Sequence, residues 1–262
     1  MLNIIVCMKQ VLDPEAPTSS YQIDAEAKRV VQRGVPPVFS PFDENALEAA
    51  LRIKDVQKSK ITVVSIGQGL SKAVVRKALA AGADQVVLLE DSIFENLDSY
   101  TTAFALAAAI KKIGKYDLIF TGREAADTNA GIVGSGIAEI LGIPSVTLAQ
   151  KAELNNDKVR IERVVSDGYE VMEVSLPVLI TVSNELGELR SVNVREIMAA
   201  QKKPITTWSA DQLGIDNHQM SRNKLVDLFI PQKETICELV DGETEDELAR
   251  NLAQKLKENK II

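Results

Sequence analysis

The sequence predicts an α/β domain: a mainly parallel sheet flanked by helices, a small antiparallel part, and an extended C-terminal arm ending in a helix. Three observations carry that prediction. Short apolar runs such as Leu118-Ile119-Phe120 have the continuous hydrophobicity of strands buried on both faces. Up to residue 141 these runs alternate with helical patterns at the spacing of βαβ units. The helical patterns are also punctuated where helices should start and stop, by Ser40-Pro41 at one entry and Gly82 at one exit. A chain of 262 residues can hold one large domain of this kind with an appendage, and the expected division is 1–204 and 205–262.

Residues 4–8 form the first expected strand, and Lys9-Gln10-Val11 leaves its carboxyl end. A polar stretch follows to Asp24, and 28–32 suggests a small hairpin arm. In Ser40-Pro41-Phe42-Asp43-Glu44 the serine can cap a helix, the proline suits its first turn, and the acids favour the positive end. That helix runs to about Val56. The segment 60–67 reads as a second strand, 71–81 as a helix stopped by Gly82, 85–89 as a third strand, and 98–112 as an alanine-rich helix. After 141 the rhythm changes. Segments 145–149 and 177–182 are apolar strands, and 159–165 with 170–175 flank Ser166-Asp167-Gly168 as a hairpin. This second part is therefore expected to be mainly antiparallel. A loop is expected at 183–192 and a short helix at 195–200. From 205 to 241 there is little periodicity over a length unusual for a connection, which reads as an arm lying on a partner. Thr244 and Glu247 form a capping box, and Leu248, Leu252 and Leu256 mark an amphipathic last helix.

The stretch 116–141, YDLIFTGREAADTNAGIVGSGIAEIL, organises the rest. A buried strand leads into a polar loop, where Asp127 or Thr128 can cap a helix carrying Val133, Ile137, Ile140 and Leu141 on one face. Gly131, Gly134 and Gly136 each cost that helix roughly 1 kcal/mol relative to alanine. Two gains can offset them. Bare N–H groups at a helix N-terminus can meet a phosphate beyond the carboxyl end of a strand. Alternatively, small residues let the helix sit tight on the sheet.

Other chemistries are excluded by composition. The formal net charge of -7 argues against wrapping nucleic acid or lying on an anionic membrane. Cys7 and Cys237 are far apart and form no metal-binding pair, no run spans a bilayer, and the N-terminus reads as a strand, not as a signal peptide. A cytoplasmic protein without membrane insertion is expected. The only histidine, His218, falls in the arm, so neither a histidine-based triad nor a histidine metal site is expected. Gly134-Ser135-Gly136 lacks the first glycine of a nucleophile elbow, and Gly67-Gln68-Gly69 misses the third glycine of a dinucleotide fingerprint. The chain reads as one that binds a ligand and has no catalytic nucleophile of its own.

Taken in order, these pieces resemble the beta subunit of electron transfer flavoprotein. The resemblance runs through IIVCMKQVLD, SPFDENALEAALRIKD, VVSIG, TGREAADTNAGIVG, VRIERVVSDGYEVMEVSLPVLITV and REIMAAQKKPI, and so covers nearly the whole chain. It implies a nucleotide-binding α/β domain whose C-terminal arm embraces an alpha subunit. It also implies a structural AMP or a second FAD at the carboxyl edge of the sheet; in the electron-bifurcating branch that FAD also meets NAD(H). Carried over by position, the nucleotide contacts fall on Cys7, Lys9, Ser40, Asp43, Ser65 and Gly67. They continue through the loop from Gly122 and Arg123 over Asp127, Thr128, Asn129, Ala130, Gly131 and Ile132 to Val133.

Arg123 and the Val133-Gly134 pair are similar to the bifurcating branch, which favours FAD. The branch's Asp-Thr pair is shifted here to Asp127-Thr128, and Asn129-Ala130-Gly131-Ile132 stands where Ala-Gln-Val-Gly would fall. Arg123 near a flavin ring would favour an anionic reduced state by Coulomb attraction; the plainer alternative pairs it with Glu124 or Asp127. Cys7 and Met8 are expected to contribute packing more than redox chemistry. The resemblance implies that a leucine of the loop at 183–192 anchors an acyl-CoA dehydrogenase, a flavin-dependent dehydrogenase; Leu186, apolar among Asn184, Glu185, Gly187 and Glu188, is the counterpart, and the plainer alternative folds it back onto its own domain.

Overall fold

The computed structural model describes residues 1–216, 223, 225–231 and 237–262; His218 and parts of the expected arm lie outside them. The chain forms two compact units, Met1–Val226 and Asp227–Ile262.

In the first unit the strands are β1 (Leu2–Cys7), β2 (Gln10–Val11), β3 (Tyr21–Asp24), β4 (Arg29–Gln32), β5 (Val38–Phe39), β6 (Ser59–Ile66) and β7 (Gln85–Leu89). They continue with β8 (Leu118–Gly122), β9 (Ser145–Asn155), β10 (Lys158–Val165), β11 (Gly168–Ser175), β12 (Val178–Val182) and β13 (Ile205–Trp208). The helices are α1 (Pro41–Val56), α2 (Lys72–Ala81), α3 (Ser99–Ile113), α4 (Val133–Leu141), α5 (Val194–Ala200) and α6 (Ala210–Leu213). Nine strands make one sheet in the order β11-β10-β9-β12-β8-β1-β6-β7-β13; β2-β5 and β3-β4 are separate pairs.

Alternation along β1 shows the layering. Ile4 and Val6 point into the core covered by α1 and α2, whereas Ile5 and Cys7 point into the core under α3 and α4. Both faces are therefore buried, which is why β1, β8 and β12 read as unbroken apolar runs. In the second part of the main sheet β9, β10 and β11 pair antiparallel, while β12 lies parallel to both β8 and the first half of β9. The apolar run 177–182 had no pattern to separate the two cases; its neighbours decide.

A difference lies at 205–208, read from the sequence as the start of an aperiodic stretch. These residues pair with β7 along the sheet edge. Ile205-Thr206-Thr207-Trp208 is mostly exposed and held by backbone bonds, so it needs no apolar period. Lys203 fixes its approach by donating to the carbonyls of Leu79 and Ala83, both at 2.7 Å, at the end of α2.

In the second unit Thr244 caps α7 (Glu245–Glu258), accepting from Glu247 N–H at 3.3 Å. No helix among the described residues is long and apolar enough to cross a membrane.

Candidate functional site

The chain leaves β1 for β6 and β7 on one side, then returns to place β8 on the other side of β1. Connections leaving β1 and β8 therefore diverge, and a crevice opens beyond the carboxyl ends of the strands. It is a cleft of about 400 Å³.

Asp43, in the first turn of α1, holds this switch point together. Its carboxylate accepts from Lys9 N–H at 2.7 Å and from Gly122 N–H at 2.9 Å, so one side chain bridges the ends of β1 and β8. Burial pushes the carboxyl up to about 7, outweighing the two N–H donors and the Lys9 charge, which favour the anion; Asp127 adds a smaller upward push. Burial also pushes the Cys7 thiol up, with Asp43 adding to it, so Cys7 remains an uncharged packing group in the wall.

The loop after β8 differs from the sequence expectation. Neither Asp127 nor Thr128 caps a helix: α4 begins at Val133, five residues beyond Thr128, with Ile132 at its cap and no side-chain bond there. Residues 125–129 instead make a turn, in which Thr128 and Asn129 donate to the Ala125 carbonyl. Asn129 and Gly131 then take left-handed backbone (φ 48° and 67°), which no helix continues. The result is a ledge. Ala130, Gly131, Ile132, Val133 and Gly134 line the cleft, and their N–H groups donate to no acceptor among the described residues.

Two of the glycines serve packing and the third serves a turn. A Cβ on Gly134 would stand 2.7 Å from Thr121 Oγ1 and 2.7 Å from Thr181 Cγ2, and one on Gly136 would stand 3.1 Å from Ala103 Cβ. Both serve tight packing on the sheet and α3. Gly131 serves the turn, because its positive φ suits a residue without Cβ.

Of the residues expected at the site, Cys7, Lys9, Asp43, Gly67, Gly122, Arg123, Thr128, Ala130, Gly131, Ile132 and Val133 line the cleft. Ser40, Ser65, Asp127 and Asn129 do not. Ser40 holds the N-cap position of α1 but makes no side-chain capping bond; its hydroxyl accepts from Ala126 N–H at 3.2 Å and ties the loop down. Asp127 pairs with Lys9 at 2.7 Å, and Arg123 pairs with Glu124 at 2.9 Å while lying over the Phe42 ring. Ser65 lies in β6 between two lining residues, with a buried hydroxyl that has no partner among the described residues. Sequence reasoning missed Arg29, Gln68 and Phe94 in the lining, since each reaches the cleft through tertiary placement and belongs to no local motif.

At the loop 183–192 the structure follows the plainer alternative and not the displayed one. Leu186 is not displayed: it is 6% exposed and belongs to the core covered by α1. Asn45 donates to the Gly187 carbonyl at 2.6 Å, and the Arg190 guanidinium grips Glu48 and Asp55 of α1 at 3.0 and 2.8 Å. Polar neighbours in sequence conceal an apolar side chain that turns inward. Leu186→Ala is therefore expected to destabilise the chain by about 2–3 kcal/mol, the usual cost of truncating a buried leucine. A denaturation midpoint equal to wild type would show that the side chain contributes nothing to this core.

A doubly wound sheet with a cleft at its switch point defines a class of α/β proteins that take ligands beyond the carboxyl ends of their strands. The chain belongs to the electron transfer flavoprotein family, whose domain matches residues 28–213. Over the full length of both chains it is 39% identical to the electron transfer flavoprotein subunit beta of Thermoanaerobacterium thermosaccharolyticum. The corresponding subunit of Clostridium acetobutylicum is also 39% identical over both full lengths. Subunit CarD of the caffeyl-CoA reductase-Etf complex of Acetobacterium woodii is 38% identical, again over both full lengths.

Proposed function

We propose that this chain is the beta subunit of a cytoplasmic, heterodimeric electron transfer flavoprotein. In this reading it binds FAD in the switch-point cleft and passes electrons between NADH and a partner flavin-dependent dehydrogenase, by flavin-based bifurcation. The observation that carries the proposal is the cleft-lining ledge from Ala130 to Gly134, whose N–H groups have no acceptor among the described residues. Converging amides at the start of a helix are chemically suited to a pyrophosphate, and contribute up to about 1–2 kcal/mol in a partly buried setting. The hydroxyl of Ser65 beside the wall is a second polar group without a partner among the described residues. FAD therefore fits the donor set.

Ala130 to Gly134 would hold the phosphates, with Lys9 and Arg123 adding positive charge at the rim. Asp43 would keep the two strand ends at fixed separation beneath the ligand. Cys7, uncharged, would pack against it. A bound flavin supplies the electron-accepting chemistry itself. The segment from 205 onward, which begins as β13 and ends in α7 with Leu248 and Leu252 exposed, would reach the alpha subunit. Similarity to a subunit of a caffeyl-CoA reductase-Etf complex supports a partner of the CoA-ester dehydrogenase type.

The test is to denature the purified heterodimer and identify what it releases. FAD beyond the alpha subunit's own complement is the expected result. Finding AMP instead would overturn FAD and leave the site standing; finding neither nucleotide would overturn both.

A further inference from the structure

Three cationic side chains line the cleft: Lys9, Arg29 and Arg123. Two of them are already engaged, Lys9 by Asp127 at 2.7 Å and Arg123 by Glu124 at 2.9 Å. Arg29 is different. It is the most loosely held of the three: its ion pair with Asp24, across the hairpin, is 3.9 Å long and beyond hydrogen-bond reach, and its side chain is 60% exposed.

Arg29 also stands on a separate piece of structure. Strands β3 and β4 form a two-stranded sheet of their own, outside the main sheet. The hairpin is fastened at its base: Tyr21 Oη donates to the Asp13 carbonyl at 2.6 Å, and the Gln32 amide accepts from Asp13 N–H at 2.9 Å and donates to its carbonyl at 2.8 Å. Residues 25–30 at the tip are exposed. Lys28, in left-handed backbone, turns the chain so that Arg29 opens the returning strand opposite Asp24. The tip is tied through Lys28, whose Nζ donates to the Val226 carbonyl at 2.9 Å; a two-stranded hairpin is otherwise marginally stable, so a contact at Arg29 can shift it.

We infer that the β3–β4 hairpin is a flap that brings the Arg29 guanidinium onto the phosphates of the ligand held by the Ala130–Gly134 ledge. Arg29 is then a specificity-determining residue that reads the ligand's negative charge from the side opposite the amides. This inference rests on the nucleotide-binding reading of the cleft. A guanidinium held only by a long, solvent-exposed ion pair gives up little when it forms a charge-assisted, bidentate contact with phosphate.

The experiment uses the whole heterodimer, stripped of nucleotide and titrated with FAD, as wild type, Arg29→Gln and Arg29→Lys. Arg29→Gln should weaken FAD binding about tenfold at low salt, with a shallower salt dependence, and Arg29→Lys should recover part of the loss. In parallel, bound FAD should slow trypsin cleavage after Lys28 in the wild type and protect that bond less in Arg29→Gln. Equal FAD affinities for wild type and Arg29→Gln, or a loss with an unchanged salt dependence, would overturn the role of Arg29 while leaving the site intact. A wild-type complex that takes up no FAD at all would instead overturn the nucleotide reading on which the inference stands.

Discussion

Gly122→Ala is expected to cost about 4 kcal/mol of stability and to empty the cleft of nucleotide. A Cβ at this position would stand 2.7 Å from Asp43 Oδ1, 2.7 Å from the Phe42 carbonyl carbon and 2.7 Å from Phe42 Cβ. One of those atoms is main chain in the first turn of α1, so no rotamer change relieves the overlap. Overpacking of this kind costs about 1–3 kcal/mol when the surroundings shift. The shift that relieves it draws Asp43 away from the N–H groups of Gly122 and Lys9, and each buried group left unpaired adds about 1–3 kcal/mol. Chemical denaturation at fixed protein concentration measures the first effect, and nucleotide content after purification measures the second. A variant with the wild-type midpoint and full nucleotide would show that the contact between α1 and β8 is not needed at the switch point.

The second large effect is a dependence of stability on pH that originates in Asp43. The folded-state value is raised to about 7, above the ordinary aspartate value of about 3.9, because burial disfavours the anion. Between those two values the folded chain holds a proton that the unfolded chain has released. The unfolded state therefore binds fewer protons, and stability falls as pH rises, with a slope of up to about 1.4 kcal/mol per pH unit from this one group. Its contribution is complete below the unfolded value, is lost as pH climbs through about 7, and is constant above that. Asp43→Asn removes the titration while keeping one oxygen to accept an N–H, although its amide nitrogen must then face the other donor. The thermal midpoint of the wild type should accordingly fall relative to that of the variant as pH rises from about 5 to about 8. Parallel curves across that window would show that Asp43 does not titrate there.

Much of this protein was legible from short stretches of chain. Helix α1 follows from Ser40-Pro41 and its acids, Gly82 ends α2, and the hairpin of β10 and β11 follows from β-branched runs around Ser166-Asp167-Gly168. These features depend on backbone preference and apolar period, which act over a few residues, so the sequence by itself determined them. It also determined the family, because six separate motifs recur in order along nearly the whole chain.

The tertiary structure alone decided the remainder. No local pattern could show that β8 lies beside β1, or that Asp43 bonds Gly122 across 79 residues of sequence. The start of α4 was misplaced because Asp127 and Thr128 are good caps in isolation, yet Lys9 and the left-handed turn at Asn129 and Gly131 engage that segment differently. Leu186 sits among polar neighbours and still turns inward, because α1 offers it an apolar surface and Arg190 and Asn45 clamp the loop there. Local preferences set what each segment can be, whereas burial and pairing between distant segments set which way a side chain faces.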